Sequence, residues 1–125
     1  AGMLAVKAQW FGFGVPDGLF SEGERAYGIH GGDQETSLML HFRPETVDMG
    51  HAEDFTSTAE TTAIAPIGPI SYGWIASDLN PSGTVGEAHL ATAAKGKATC
   101  EHQVSAFIKL LLAVRDAEIG GFQPV

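Results

Sequence analysis

The stretch His30–Met49, HGGDQETSLMLHFRPETVDM, decides how the rest of the chain is read. A histidine and two glycines lead into Asp33, Glu35, Thr36 and Ser37, and the apolar run that opens at Leu38 follows at once. The pattern predicts a short helix over about 35–43, stopped by Pro44, because a proline pushes the residue before it out of the helical region. Leu38, Met39, Leu40 and Phe42 cover most of that helix's circumference, which predicts burial on several sides. Two readings fit the polar corner. In one, these side chains cap a buried helix, whose first N–H groups lack partners and whose dipole attracts carboxylates. In the other, capping needs a single such residue and the corner has several to spare. Gly31 and Gly32 would let backbone approach a ligand closely, and a histidine at position 30 can shuttle protons near neutral pH.

Upstream, Met3–Phe13 (MLAVKAQWFGF) has the bulk of a β-strand at Leu4, Val6, Trp10, Phe11 and Phe13. The following GFGVPDGLFSEGERAYG, punctuated by glycines and Pro16, reads as a loop. Downstream, residues 54–83 are polar and broken by prolines, with a strand predicted near Tyr72–Ala76. From about Glu87 to Ile119 the pattern is helical. Val104, Phe107, Ile108, Leu111 and Val114 make one apolar face, and Gly120 and Gly121 close the helix. Gly96 is either a close-packing point or a break between two helices.

Composition narrows the function. A formal charge of −8 over 125 residues argues against nucleic acid or anionic membrane as a partner. No apolar run is long enough to span a bilayer. Cys100 is alone, which excludes an internal disulfide and multi-cysteine zinc sites, and suits a reducing cytoplasm. The Gly12–Gly18 spacing is too long for a dinucleotide fingerprint, and Pro16 sits where its helix would start. His30-Gly31-Gly32 lacks the G-x-S-x-G nucleophile elbow that an esterase would add. His41, His51, His89 and His102 show no H-x-x-x-H pairing and read as surface or packing residues.

Two blocks carry a family resemblance. HGGDQETSLMLHFRPETVDM resembles the C-terminal motif of the creatininase (creatinine amidohydrolase) family, a His-(Gly/Ala)-Gly-x-x-Glu-Thr-Ser segment followed by an apolar helix and Arg-Pro-x-x-Val. WIASDLNPSGTVGEAHLATAAKGK (Trp74–Lys97) is similar to its later block, a Ser-Gly-x-x-Gly turn entering an Ala-Thr-x-x-Lys-Gly helix. Together they cover most of 25–119.

The resemblance implies an α/β fold, part of a three-layer α/β/α arrangement with a mainly parallel sheet. It implies that residues 1–125 form one domain, the C-terminal portion of a creatininase-like domain. It also implies a metal-dependent amidohydrolase that cleaves a C–N amide bond of a small molecule, a cyclic amide or formamide. Two divalent ions (Zn, Mn or Fe) would activate the water, and hexamers or other homo-oligomers are expected. By resemblance His30 is the catalytic proton shuttle and Glu35 a metal ligand or its neighbour. Gly31, Gly32 and Tyr27 are assigned to substrate binding. The family's other motifs, Glu-x-His-Gly, Thr-Asp and Asn-Gly-His-Gly-Gly-Asn, carry its main ligands and are absent here. The expectation is therefore that an N-terminal half, as a second chain, completes the metal site. The alternative is a non-catalytic binding or assembly subunit. Ala26 stands where the family's creatinine-gating aromatic is expected, which weakens creatinine itself as substrate.

Overall fold

A computed structural model describes residues 4–118. Four α-helices follow in order: α1 (Glu22–Tyr27), α2 (Asp33–Phe42), α3 (Ala76–Leu79) and α4 (Ala93–Asp116). Single 3₁₀ turns lie at Trp10–Phe13, Pro44–Thr46, Met49–His51, Thr58–Thr61 and Ala88–Leu90.

The expected α/β fold with a mainly parallel sheet is not what forms: the described residues are helical and contain no strand. β-pairing is confined to two isolated antiparallel bridges, His30 with Val85 and Phe55 with Gly86. Each expected strand fails for a local reason. In 4–9 no backbone group finds a ladder partner, and Trp10–Phe13 then curls into a turn that docks on α4. There Trp10, Phe13 and Phe107 form a mutual aromatic cluster with ring centroids 5.6–5.9 Å apart. Around Tyr72 the chain is irregular. Trp74 donates its indole N–H to the Pro66 carbonyl at 2.6 Å, and Ala76 already begins α3. The stretch read as one long glycine-rich loop contains α1, whose start is capped by the Ser21 hydroxyl accepting from the Glu24 N–H at 2.9 Å.

The two longer helices match their sequence patterns in type and, for α2, nearly in extent. They cross at Gly96, which is a packing point inside a continuous α4. A methyl group there would lie 1.9 Å from the Ser37 carbonyl oxygen, so only glycine lets the backbones approach this closely. The buried sides of the two helices are polar: Asp33 and Ser37 on α2 and Thr99 and Gln103 on α4 are fully buried, with Gln103 donating to the Gly14 carbonyl at 3.1 Å. Thr92 caps α4 by accepting from the Lys95 N–H at 3.2 Å. The apolar stripe of α4 consequently faces outward, with Ile108 and Leu111 about half exposed at 50% and 51%. The expectation of an α2 buried all round also fails, since Met39 and Phe42 are exposed.

A separate small core of Ala59, Leu79 and Val85 is covered by Tyr27, Ile29, Tyr72 and Trp74. It anchors the segment that leads to His30. No helix among the described residues is long and apolar enough to cross a membrane.

Candidate active site

Backbone pairing fixes His30. Val85 N–H donates to the His30 carbonyl at 2.7 Å, and His30 N–H donates to the Val85 carbonyl at 3.2 Å. The ring is left 64% exposed. Gly31 then turns with φ +69°, in the region that favours glycine, and Gly32 ends the loop as the α2 N-cap. With no side chain at Gly32 to cap the helix, the first turn of α2 is tied down by other groups.

The acidic and hydroxyl residues of this corner divide between two tasks. Asp33 and Ser37 face inward: Ser37 donates to Asp33 at 3.0 Å, and Asp33 also accepts from the Lys95 ammonium. The Ser37 hydroxyl in turn accepts from the Thr92 N–H at 3.0 Å, which joins α2 to the start of α4. Glu35 and Thr36 hold the His30 loop from the other side. Glu35 accepts from the Gly31 N–H, and Thr36 donates to the Gly31 carbonyl at 2.9 Å. The same Glu35 oxygen, Oε2, lies 3.9 Å from His30 Nδ1, an ion-pair distance rather than a hydrogen bond.

His30, Gly31 and Glu35 open on a groove of about 650 Å³. Its polar wall includes Asp48 and His51 as well, and its apolar wall includes Phe11, Met39 and Phe42. Asp48 Oδ2 lies 2.9 Å from His51 Nδ1, and Asp48 also accepts from the Gly50 N–H at 2.9 Å. That backbone N–H, and then the His51 ring, holds the Asp48 carboxyl below its ordinary value. Such a groove, mostly apolar with a few convergent polar groups, is the usual form of a small-molecule site.

The other proposed substrate contacts lie elsewhere. Tyr27 packs on the small core and borders a different cleft, with Asp54 and Ser57. Gly32 is buried on the back of the loop, against Glu24. His41 packs beside Phe42 with ring centroids 5.0 Å apart, and His102 Nε2 lies 3.2 Å from the Phe13 carbonyl.

Sequence reasoning passed over Asp48 and Glu24, and read His51 as a surface or packing residue. For Asp48 and His51, the available signal was an Asp and a His three apart just after a proline. For Glu24 it was the Ser-x-x-Glu pattern at Ser21, which marks a helix start.

The metal implied by the resemblance can be tested against these residues. Among the described residues no group of three His, Cys, Asp or Glu side chains is placed to hold an ion. Glu35 is one carboxylate, already engaged by Gly31, whereas zinc centres usually take three protein ligands. The residues present therefore do not fit a divalent-metal centre by themselves.

Comparison with known proteins bears on the whole arrangement. The sequence profile of the creatininase family (creatinine amidohydrolase) matches residues 1–111. No curated protein matches the chain. Among solved structures, a Bacteroides fragilis NCTC 9343 protein assigned as a creatinine amidohydrolase is similar, with 28% identity and a TM-score of 0.69. The match covers 89% of this chain and 43% of that one, so this chain spans less than half of its structural relative. With the family profile matching nearly nine-tenths of its length, the chain belongs to the creatininase family.

Proposed function

We propose that this chain carries the proton-transfer part of an amidohydrolase site that cleaves a C–N amide bond in a small cyclic amide or formamide. The observation that carries the reading is His30. Its backbone is fixed on both sides by Val85, while its ring stands free in the groove. Family membership supports the reaction class.

Breaking an amide requires a proton on the departing nitrogen, and a positioned imidazole supplies one at a typical gain of about 10²–10⁴-fold. In this reading His30 gives that proton. Glu35 holds Gly31, the next residue, and faces the imidazole, so that the ring keeps one placement. The apolar wall of the groove takes the carbon skeleton of the substrate and excludes water from it. Any metal ion belonging to this site needs ligands from outside the described residues, in the same polypeptide or in a second chain. A second reading, a non-catalytic assembly subunit of the same family, is favoured by one observation: a long apolar face on α4 lies open.

The test is turnover of a panel of cyclic amides and formamides by protein purified without chelator, together with native mass spectrometry of what co-purifies. His30→Ala should lower turnover by about 10²-fold or more while metal content stays as in the wild type. Glu35→Gln separates a ligand, which would lose metal, from a holder of the loop, which would lose activity alone. Equal turnover for His30→Ala and wild type ends the shuttle proposal. A chain that turns over no amide, and binds no metal with or without a co-purifying partner, favours the assembly subunit.

A further inference from the structure

Glu24 is a buried carboxylate, 4% exposed, that nothing in the proposed chemistry uses. It lies on α1, yet its side chain reaches two other parts of the chain. Oε1 accepts from the Gln34 N–H in the first turn of α2 at 3.0 Å, and Oε2 accepts from the Glu87 N–H at 2.8 Å. Among the described residues no cation pairs with it; its two oxygens are met by backbone N–H groups, one of them at the N-terminal end of α2.

Three glycines press on this carboxylate. A methyl group at Gly28 would lie 2.4 Å from it, one at Gly32 2.5 Å, and one at Gly86 2.6 Å. Their places in the chain matter. Gly28 and Gly32 flank the His30 loop on either side, and Gly86 follows Val85, the residue whose backbone pairs with His30. The entrance, the exit and the pairing partner of the loop thus meet at one side chain.

We propose that Glu24 is the positioning residue of the His30 site: its carboxylate clamps the loop between α1, α2 and the Val85 segment, and so sets where the imidazole stands. The assignment of His30 as the functional group rests on the reading above, but the clamp is tested on geometry and not on turnover. A buried carboxylate tolerates this setting because each of its oxygens accepts a backbone N–H, so turning one acceptor into a donor should release the loop without removing bulk.

The experiment compares Glu24→Gln, which keeps the shape but turns one acceptor into a donor, with Thr92→Ala, which removes the α4 cap but keeps the Thr92 N–H bond to Ser37. The readout is the Gly31 amide, which reports the Glu35 contact beside His30. In Glu24→Gln the far-ultraviolet circular dichroism should be retained. The Gly31 amide proton should move upfield, and its exchange should quicken at least about tenfold. Thr92→Ala should lower the melting temperature and leave the Gly31 amide in place. If Glu24→Gln lowers the melting temperature yet leaves Gly31 unchanged, Glu24 is only a stabilising group and the proposal fails. If Thr92→Ala moves Gly31 as far as Glu24→Gln does, it fails as well. Should Glu24→Gln not fold, hydrogen exchange in the wild type decides. Protection of Gly31 matching that of Gln34 and Glu87 supports one clamped unit, and protection at least about tenfold weaker at Gly31 overturns it. Loss of turnover in His30→Ala has no bearing on these arms, so either proposal can fail alone.

Discussion

Gly96→Ala should destabilise the fold, although the same change stabilises most helices. An alanine inside a helix is worth about 1 kcal/mol more than a glycine. At Gly96, however, the new methyl would sit 1.9 Å from the Ser37 carbonyl oxygen, 2.5 Å from its carbonyl carbon and 3.0 Å from the His41 Cβ. Ordinary contact begins near 3.4 Å, so α2 and α4 would have to part by about 1.5 Å. The obstacle is backbone and cannot rotate away, which puts the overpacking cost at or beyond about 3 kcal/mol. Net of the propensity gain, the loss is about 2 kcal/mol, or about 8 °C in melting temperature for a chain of this size. Gly23→Ala is the matched control. Gly23 lies in α1, has no positive φ, and its added methyl meets only the Ser21 hydroxyl at 3.7 Å. It should stabilise by about 0.4–1 kcal/mol. Thermal unfolding followed by circular dichroism, backed by urea titration, measures both. A Gly96→Ala protein that melts at or above the wild type, beside a stabilised Gly23→Ala, would refute the close helix crossing on which the α2 placement depends.

Two further outcomes follow from the polar contacts. Lys95→Met leaves the fully buried Asp33 with only the Ser37 hydroxyl as a side-chain partner, and should cost about 3–5 kcal/mol in urea unfolding; a loss under about 1 kcal/mol would mean that water reaches Asp33. Asp48 titrates below its ordinary 3.8 because the Gly50 N–H, and then His51, favours its ionised form. Its contribution to the 48–51 turn is therefore present above about pH 4 and lost as pH falls through the lowered value. The Gly50 amide resonance should report a midpoint below 3.8, and Asp48→Asn should abolish that step.

What the sequence made legible is what local rules govern. The apolar spacing from Leu38 and the stop at Pro44 predict α2 nearly as it forms, and the spacing through Val104 and Leu111 predicts α4 in type, although that helix starts at Ala93 and not near Glu87. Strands are different, because a strand exists only where a second segment supplies its hydrogen bonds. The bulk at Val6 and Trp10 favours an extended chain, but residues 4–9 meet no partner, and Trp10 finds Phe13 and Phe107 instead. Periodicity marks the apolar face of α4, but that face is not the one buried here. The stripe through Ile108 and Leu111 is apolar, yet the buried side of α4 carries Gly96, Thr99 and Gln103, because α2 approaches α4 backbone to backbone at Gly96.

The site divides along the same line. His30, Gly31 and Glu35 are neighbours in sequence, so a short motif can carry them together, and the structure gives each a contact with the next. Glu24 and Glu87 are 63 residues apart and meet only through the fold. A glutamate in a glycine-rich stretch carries no mark of burial, and Gly28 and Gly86 read as turn punctuation and Gly32 as room for a ligand, none of them as room made for this carboxylate. That order has a mechanical consequence. A loop of two glycines beside a histidine has little stiffness of its own. Its rigidity must come from groups that are distant in sequence and close in space: Val85 on the backbone, and Glu24 beneath Gly28 and Gly32. The motif places the histidine, and the residues outside it decide whether that histidine holds still.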